Sequence, residues 1–103
     1  MSSSRTEPEV ARARTVHVAA TELAVGLSDG RTIIVPLDWY PRLLHGTNEE
    51  RNNWRPIGDG EGIHWPDLDE DIEVDGLIAG ARSGESQRSF QRWLAARAKS
   101  NRG

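Results

Sequence analysis

His64 is the first residue of the chain to consider for chemistry, because histidine can act as a general base near neutral pH. Two carboxylates that could orient its ring, Asp69 and Asp71, follow within seven residues. No nucleophile, metal cage or cofactor motif accompanies them, and acid–base catalysis needs such a partner. We therefore interpret His64 as a structural histidine in a strand, assign no catalytic residue and predict no enzymatic activity.

The acidic segment from Asp67 to Glu73 is the second candidate, since it places oxygen ligands at alternate positions, as a calcium-binding loop does. The sixth and twelfth positions of such a loop require glycine and glutamate, whereas this chain has Ile72 and Ile78 there. Weak binding of magnesium through paired carboxylates remains an alternative. The favoured interpretation is an acidic turn in which an aspartate caps the next element.

The remaining metal- and phosphate-binding patterns are also incomplete. The histidines stand too far apart to have the spacing of a metal site: His17, His45 and His64. Residues 58–62 are rich in glycine but lack the lysine and the following helix of a phosphate-binding loop. We therefore predict neither a metal nor a cofactor.

The composition bounds the class of protein. The chain has 103 residues, enough for one small domain, and 36% of them are hydrophobic, too many for full disorder. It has no cysteine, which excludes a disulfide framework and a thiolate metal site. No apolar run is long enough to span a membrane, and the polar start does not resemble a signal peptide, so we expect a cytoplasmic protein.

The net charge of −3 is distributed unevenly along the chain. Residues 1–48 are neutral, residues 49–81 carry two basic and ten acidic groups (net −8), and residues 82–103 carry six basic groups and one acidic group (net +5). The acidic total argues against binding of nucleic acid by the whole surface. An acidic block followed by a basic end indicates either pairing within the chain or two differently charged faces.

Alternation of apolar and polar residues predicts three short strands, at 15–19, 23–27 and 33–37. A three-residue turn, Ser28-Asp29-Gly30, places the apolar residues of the last two strands on one face, whereas a two-residue turn divides them between both faces. We therefore predict the longer turn, with Gly30 at positive φ, and Pro36 at an edge or strand end. The predicted pairs are Leu27 with Arg31, Val25 with Ile33, and Leu23 with Val35.

Two short helices are predicted after the third strand. Asp38 caps the first, which has Pro41 in its first turn and ends at Gly46. A capping box formed by Thr47 and Glu50 begins the second, which is predicted to run to residue 54.

The next part of the chain is rich in turns. Residues 63–66 are predicted to form a short strand that ends at its proline, and residues 67–71 an acidic turn. One further short element is predicted over 72–78. Three of the four tryptophans are assigned to the core or its edge: Trp39, Trp54 and Trp65.

A basic amphipathic helix is predicted at the end of the chain, from a cap at Ser83 or Ser86 to about Lys99. Its narrow apolar stripe either packs on the domain as core or binds a partner. Aromatic and arginine residues are frequent hot spots of interfaces, and arginines and lysines also contact nucleic-acid phosphates. The residues assigned to partner binding are Arg88, Phe90, Arg92, Trp93, Leu94 and Arg97.

The stretch of residues 58–72, followed by Val74 and Gly76-Leu77-Ile78, is distinctive. Together with Leu27-Ser28-Asp29-Gly30 and Tyr40-Pro41-Arg42-Leu43, it resembles a small bacterial family, domain of unknown function 2442. The resemblance covers residues 15–80. Eight residues of these motifs are expected to be structural or to lie at an interface: Asp29, Gly30, Gly62, His64, Trp65, Pro66, Asp69 and Asp71.

The resemblance implies a compact α+β domain, a β-meander with helices on one side, and no established activity. Members of the family look like partners in two-gene modules, often proposed as toxin–antitoxin pairs. Some carry a helix-turn-helix domain after the conserved part, for which residues 80–103 of this chain are too short.

These observations predict an α+β fold: a small antiparallel β-meander or hairpin sheet with short helices on one face and a C-terminal amphipathic helix. Residues 1–13 are predicted to be a disordered lead-in, 14–80 the domain, and 81–103 the basic helix and tail. The leading functional hypothesis is a protein-interaction module, an antitoxin-like or adaptor partner of a small, basic, toxin-like protein. The alternative is a nucleic-acid-binding regulator that uses the basic helix, and an enzyme using His64 is the third hypothesis.

Overall fold

Two antiparallel sheets joined by short helices make up residues 11–100, the part of the chain that the computed structural model describes. The strands are β1 (Ala13–Val18), β2 (Glu22–Leu27), β3 (Thr32–Pro36), β4 (Arg55–Ile57), β5 (Gly62–Trp65) and β6 (Glu70–Glu73). The helices are α1 (Pro41–Leu44), α2 (Asn48–Asn52), α3 (Val74–Ala79) and α4 (Gln87–Ser100). Each sheet has three strands in sequence order, β1–β2–β3 and β4–β5–β6. The predicted α+β class is confirmed, although the strands form two sheets.

The predicted register of the hairpin between β2 and β3 is confirmed. Leu23 pairs with Val35 and Val25 with Ile33, and the Leu27 amide donates to the Arg31 carbonyl across the three-residue turn. Gly30 has a φ of 95°, which a residue with a side chain rarely adopts. The apolar side chains of β2 therefore share the buried face of the first sheet.

The first sheet begins slightly earlier than the sequence indicates. Of the lead-in predicted for residues 1–13, residues 1–10 lie outside the described part, and Ala13 already belongs to β1. The Ala13 amide donates to the Gly60 carbonyl, 2.7 Å away in the turn between β4 and β5. A Cβ atom on Gly60, which has a φ of 101°, would lie 2.7 Å from the Ala13 carbonyl oxygen. Glycine at this position thus lets β1 approach the second sheet.

The second sheet contains a strand that the sequence reading missed. The sequence predicts only turns between the second helix and the strand at 63–66, but Arg55–Ile57 pairs with β5. Proline is tolerated there because β4 is an edge strand. The single element predicted over 72–78 is also two elements, the end of β6 and then α3.

The helix boundaries differ from the prediction in two places. Asp38 does not cap α1: it lies inside a 3-10 turn at Leu37–Trp39, and Tyr40 occupies the N-cap position. The Tyr40 ring is buried and its hydroxyl donates to the Ala81 carbonyl, so a tertiary contact fixes the start of α1. The capping box at the start of α2 is confirmed, but α2 ends at Asn52 rather than at residue 54.

Trp65 lies at the centre of the core, where both sheets and the helices meet. Its side chain is 0% exposed, and its indole Nε1 donates to the Arg51 carbonyl at 2.9 Å. The Arg51 guanidinium donates to the carbonyls of Leu43 and Leu44 at the end of α1. Arg51 therefore ties α1 and α2 to the tryptophan of β5.

We predict that Trp65→Ala lowers the free energy of unfolding by about 3–5 kcal/mol, because it leaves a cavity and strips the Arg51 carbonyl of its donor. Urea unfolding followed by circular dichroism measures the loss. Trp54→Ala is the control, since Trp54 lies at the half-buried edge of the same core and should cost less. Equal losses from the two substitutions would contradict the central position of Trp65.

Candidate functional site

Helix α4 is fastened to the domain along one face. Its first turn is capped by Ser86, whose hydroxyl accepts from the Ser89 amide at 3.1 Å, as one of the two predicted caps requires. Four side chains of the predicted stripe are buried or half-buried and lie on the inner face of α4: Phe90, Trp93, Leu94 and Arg97. The stripe is thus turned toward the rest of the chain, as the packed-core alternative predicts.

Two aromatic rings of α4 make the contact with α1. The Phe90 ring is 9% exposed and meets the His45 ring edge to face, with centroids 5.1 Å apart. The Trp93 ring stacks on Phe90 at 5.8 Å and packs against the edge of the core. Pairs of aromatic rings in these geometries contribute about 0.5–1.5 kcal/mol beyond their buried area.

Two arginines enclose Trp93. The Arg42 guanidinium lies 5.2 Å from the centre of the indole, and the Arg97 guanidinium lies 4.7 Å from it. Arg97 also forms a bidentate ion pair with Glu50 of α2, at 2.8 and 3.0 Å. These hydrogen bonds lower the pKa of the Glu50 carboxyl, so the pair stays charged at neutral pH.

Arg42 connects three separate segments of the chain. Its Nε donates to both carboxylate oxygens of Glu85, at 2.9 and 3.0 Å, and these bonds hold the pKa of Glu85 below its usual range. Its Nη1 donates to the carbonyls of Leu68 and Asp69, at 3.3 and 3.1 Å. One side chain thus fixes the acidic turn, the segment before α4 and, through Trp93, α4 itself. We call these contacts the Arg42 network.

The outer face of α4 carries the remaining basic side chains. Residues separated by four and by seven positions lie on the same side of a helix, and Arg88, Arg92 and Lys99 have this spacing. All three are exposed. Of the six residues predicted to bind a partner, the structure therefore places Arg88 and Arg92 toward solvent and the other four against the domain.

The structure brings His64 and Asp71 together and leaves Asp69 apart. His64 pairs with Arg55 on one side and Asp71 on the other, so the three side chains form a row on the outer face of the second sheet. The His64 Nδ1 lies 2.5 Å from an Asp71 oxygen. Asp71 is 63% exposed and Asp69 turns to Arg42. The row is an open, solvated cross-strand contact.

The other residues of the predicted motifs hold local backbone conformations. The Asp29 carboxylate accepts from the Arg31 amide and guanidinium, closing the turn at Gly30. A Cβ atom on Gly62 would lie 3.0 Å from the Ile72 carbonyl oxygen, so glycine lets β5 and β6 pack closely. Asp69 has a positive φ of 51° in the turn that follows Pro66, a conformation that aspartate tolerates better than most residues.

Glu70 differs from the prediction, which places it in the acidic turn of residues 67–71. It is the first residue of β6, and the alternation of that strand directs it to the same side as the buried Ile72. There it faces a cleft of about 490 Å³ beside Tyr40, Arg42 and Glu85. Burial raises the pKa of Glu70 to about 7, with smaller contributions from the neighbouring carboxylates, while Arg42 opposes the rise.

Residues 11–100 contain neither a metal-binding cluster nor a membrane-spanning helix. Within this range, no group of three or more histidine, aspartate and glutamate side chains has a geometry that could hold a metal ion. No helix in the same range is both long and apolar enough to cross a membrane.

Comparisons with known proteins give a family and a fold. A family model described as a protein of unknown function, DUF2442, matches residues 13–83. The crystal structure of a protein of unknown function from Rhodospirillum rubrum is similar, with 25% identity and a TM-score of 0.65, over 77% of this chain and 98% of that chain. The solution structure of an uncharacterized protein from Chromobacterium violaceum shares the fold, with 22% identity and a TM-score of 0.60, over 84% of this chain and 75% of that chain. No curated protein matches the chain.

We predict that Arg42→Ala destabilises the domain more than Arg97→Ala does. Loss of Arg42 leaves Glu85, whose side chain is 10% exposed, without its cation and with the Ser89 hydroxyl as its remaining donor, and it removes the donor to two carbonyls, at a cost of about 2–4 kcal/mol. Loss of Arg97 costs about 1 kcal/mol, because Glu50 still accepts from the Thr47 amide. Urea titration of both variants gives the comparison, and a larger loss for Arg97→Ala would refute the ranking.

We predict that Glu70 makes the domain less stable as the pH rises. Because the pKa of Glu70 is about 7 in the folded state and near its ordinary value in the unfolded state, the folded state keeps a proton that the unfolded state loses. The free energy of unfolding therefore falls between pH 5 and pH 8, by about 1–2 kcal/mol after allowance for solvent screening.

Glu70→Gln is the matched variant for this prediction, since glutamine preserves the shape of the side chain without the charge. From pH 5 to pH 8 the natural chain should lose stability relative to Glu70→Gln, so the unfolding free energy of the variant minus that of the natural chain should increase. Thermal unfolding at several pH values measures it. A difference that is independent of pH would show that Glu70 ionises normally.

Proposed function

The chain belongs to the DUF2442 family, as its motifs indicate, and we propose that it is a non-enzymatic protein-interaction module of the cytoplasm, antitoxin-like or adaptor-like. The observation that carries the proposal is the outer face of α4. Arg88, Arg92 and Lys99 are exposed there on a helix whose other face is held by the Arg42 network. The helix backbone that carries these cations is already ordered, so binding at this face costs little backbone conformational entropy.

The distribution of exposed charge supports a protein as the partner. The described carboxylates from Asp67 to Asp75 are mostly exposed, on a segment of the chain that is strongly acidic overall. A partner that bears charges of both signs, such as a small, basic, toxin-like protein with an acidic patch, would be attracted to both surfaces. Complementary charges of this kind raise the rate and specificity of association, whereas the acidic surface repels a polyanion.

A second candidate function rests on the same helix. The cations at Arg88, Arg92 and Lys99 lie in one line along an exposed helix face, an arrangement that can contact successive phosphates of a nucleic acid. Binding through three phosphates makes the logarithm of the affinity fall with the logarithm of the salt concentration at a slope of about −2.7. A titration with a fluorescent 20-base-pair DNA duplex at several salt concentrations therefore separates the two functions.

We predict that the double substitution Arg88→Glu and Arg92→Glu abolishes partner binding without unfolding the domain, because both side chains point to solvent. The natural chain and its variants are immobilised, and the proteins retained from native lysate at low and high salt are quantified. Arg14→Glu is the control, since Arg14 is an exposed cation on β1. The α4 variant should retain at least about tenfold less of a stoichiometric partner than the control does.

Equal retention by the α4 variant and the Arg14→Glu control would contradict the assignment of α4. Retention of nucleic acid, lost as salt increases and lost in the α4 variant, would instead support the second candidate.

A further inference from the structure

The inner face of α4 is attached to the domain by side chains alone. Within the described residues, every backbone hydrogen bond of α4 beyond its own cap lies inside the helix. Phe90 is its one buried residue among those whose side chains are described, and Trp93 and Arg97 are half-buried. A helix held in this way has a small number of contacts to break, so its detachment leaves the backbone of both sheets unchanged.

Most of the contacts that hold the surface beneath α4 in shape do not involve α4; the exception is the Ser89 hydroxyl, which donates to the Glu85 carboxylate at 2.9 Å. The Arg42 guanidinium is fixed by Glu85 and by the carbonyls of the acidic turn. The Glu50 carboxylate accepts from the Thr47 amide at 2.9 Å, which is part of the capping box of α2. The His45 Nδ1 lies 3.0 Å from the Pro41 carbonyl oxygen. The three groups that receive Trp93, Arg97 and Phe90 therefore keep their places when the helix leaves.

The receiving surface belongs to the family domain, and the helix lies beyond it. The family match ends at residue 83, and α4 begins at Gln87. Residues 80–86, which connect α3 to α4, are anchored at two points. The Arg82 guanidinium lies 4.7 Å from the centre of the Trp39 ring, and the Glu85 carboxylate pairs with Arg42. The last residue of this segment, Ser86, is exposed. Release of α4 thus requires a change of backbone conformation near Ser86 and the loss of the hydrogen bond from the Ser89 hydroxyl to Glu85.

We propose that the surface formed by Arg42, His45 and Glu50 is a helix-binding site, and that α4 of a second copy of this chain is the occupant that competes with the resident α4. The two helices have the same sequence, so each contact made within one chain can be made between two chains. Exchange of an identical element is a common route to dimers because it needs no new interface. Charge complementarity supports this occupant, since Arg97 of α4 meets a carboxylate of the site.

The proposal is independent of the proposed function, because it concerns the inner face of α4 and not the exposed cations. The resident helix is tethered to its site, and tethering gives it an effective concentration in the millimolar range. A free α4 therefore binds the natural chain weakly. It binds well where the resident helix has lost its contacts.

The first test uses a fluorescent peptide of residues 84–103 and measures its anisotropy against the full-length chain. The chain carrying Phe90→Ala and Trp93→Ala has an empty site and should bind the peptide at least about tenfold more tightly than the natural chain does. A peptide with the same two substitutions should lose binding at least about tenfold. A peptide carrying Arg88→Ala and Arg92→Ala should bind within about twofold of the natural peptide, since these side chains lie on the outer face.

Circular dichroism establishes that the double variant is folded. Should it be unfolded, the full-length variant Arg97→Glu replaces it, because this substitution sets a carboxylate against Glu50 and leaves both aromatic rings in place. The proposal is overturned where neither variant binds the peptide more tightly than the natural chain. It is also overturned if the peptide with Arg88→Ala and Arg92→Ala loses as much affinity as the peptide with Phe90→Ala and Trp93→Ala. Binding would then be a nonspecific attraction of a basic peptide to an acidic domain.

The second test asks whether two chains exchange helices. Two double variants are mixed. One carries Phe90→Ala and Trp93→Ala and keeps an intact helix-binding site. The other carries His45→Ala and Glu50→Gln and keeps an intact α4. Glutamine keeps the capping box intact. Light scattering after gel filtration should show a one-to-one heterodimer in the mixture and monomers of each chain alone. A mixture that remains monomeric at concentrations where the peptide binds excludes a second copy as the occupant.

Discussion

The guanidinium of Arg42 is the group on which the arrangement of the C-terminal half depends. It satisfies two carbonyls of the acidic turn, pairs with Glu85 and supports Trp93. A guanidinium has five donors in a rigid plane, so a single side chain can bind several segments at once. Lysine has one point charge on a flexible stem and could not replace it. Arg42, near the start of α1, therefore positions α4 together with His45 and Glu50.

Local chemistry accounts for the parts of the fold that the sequence predicted correctly. The turn at Gly30 and the capping box at Thr47 are fixed by neighbouring residues, so their signals lie within a few positions. The start of α1 was wrong because a hydrogen bond from Tyr40 to Ala81, distant in the chain, decides it. β4 was missed for the same kind of reason, since Arg55–Ile57 becomes a strand only by pairing with β5.

In the candidate site too, features fixed by neighbouring residues were predicted, and features fixed by distant contacts were not. The periodicity of α4 revealed the stripe of Phe90 and Trp93, because helical spacing is a property of the sequence. The sequence did not predict which residues the stripe would contact. Arg42 and its partner Glu85, and Glu50 and its partner Arg97, are each more than 40 residues apart in the chain. Glu70 was misplaced because only the register of β6 turns it inward. A pattern of charges by itself could not distinguish it from its exposed neighbours.

The sequence left two arrangements open for the acidic block (residues 49–81) and the basic end (residues 82–103): pairing within the chain, or two differently charged faces. The structure shows both. One pair between the blocks, Glu50 with Arg97, is internal. That pair, with Trp93 between two arginines, fixes the rotation of α4 about its axis. Once the rotation is fixed, helical geometry leaves Arg88 and Arg92 no position but the outer face. The internal pairing therefore determines which cations remain available to a partner, and the two charged faces are its result.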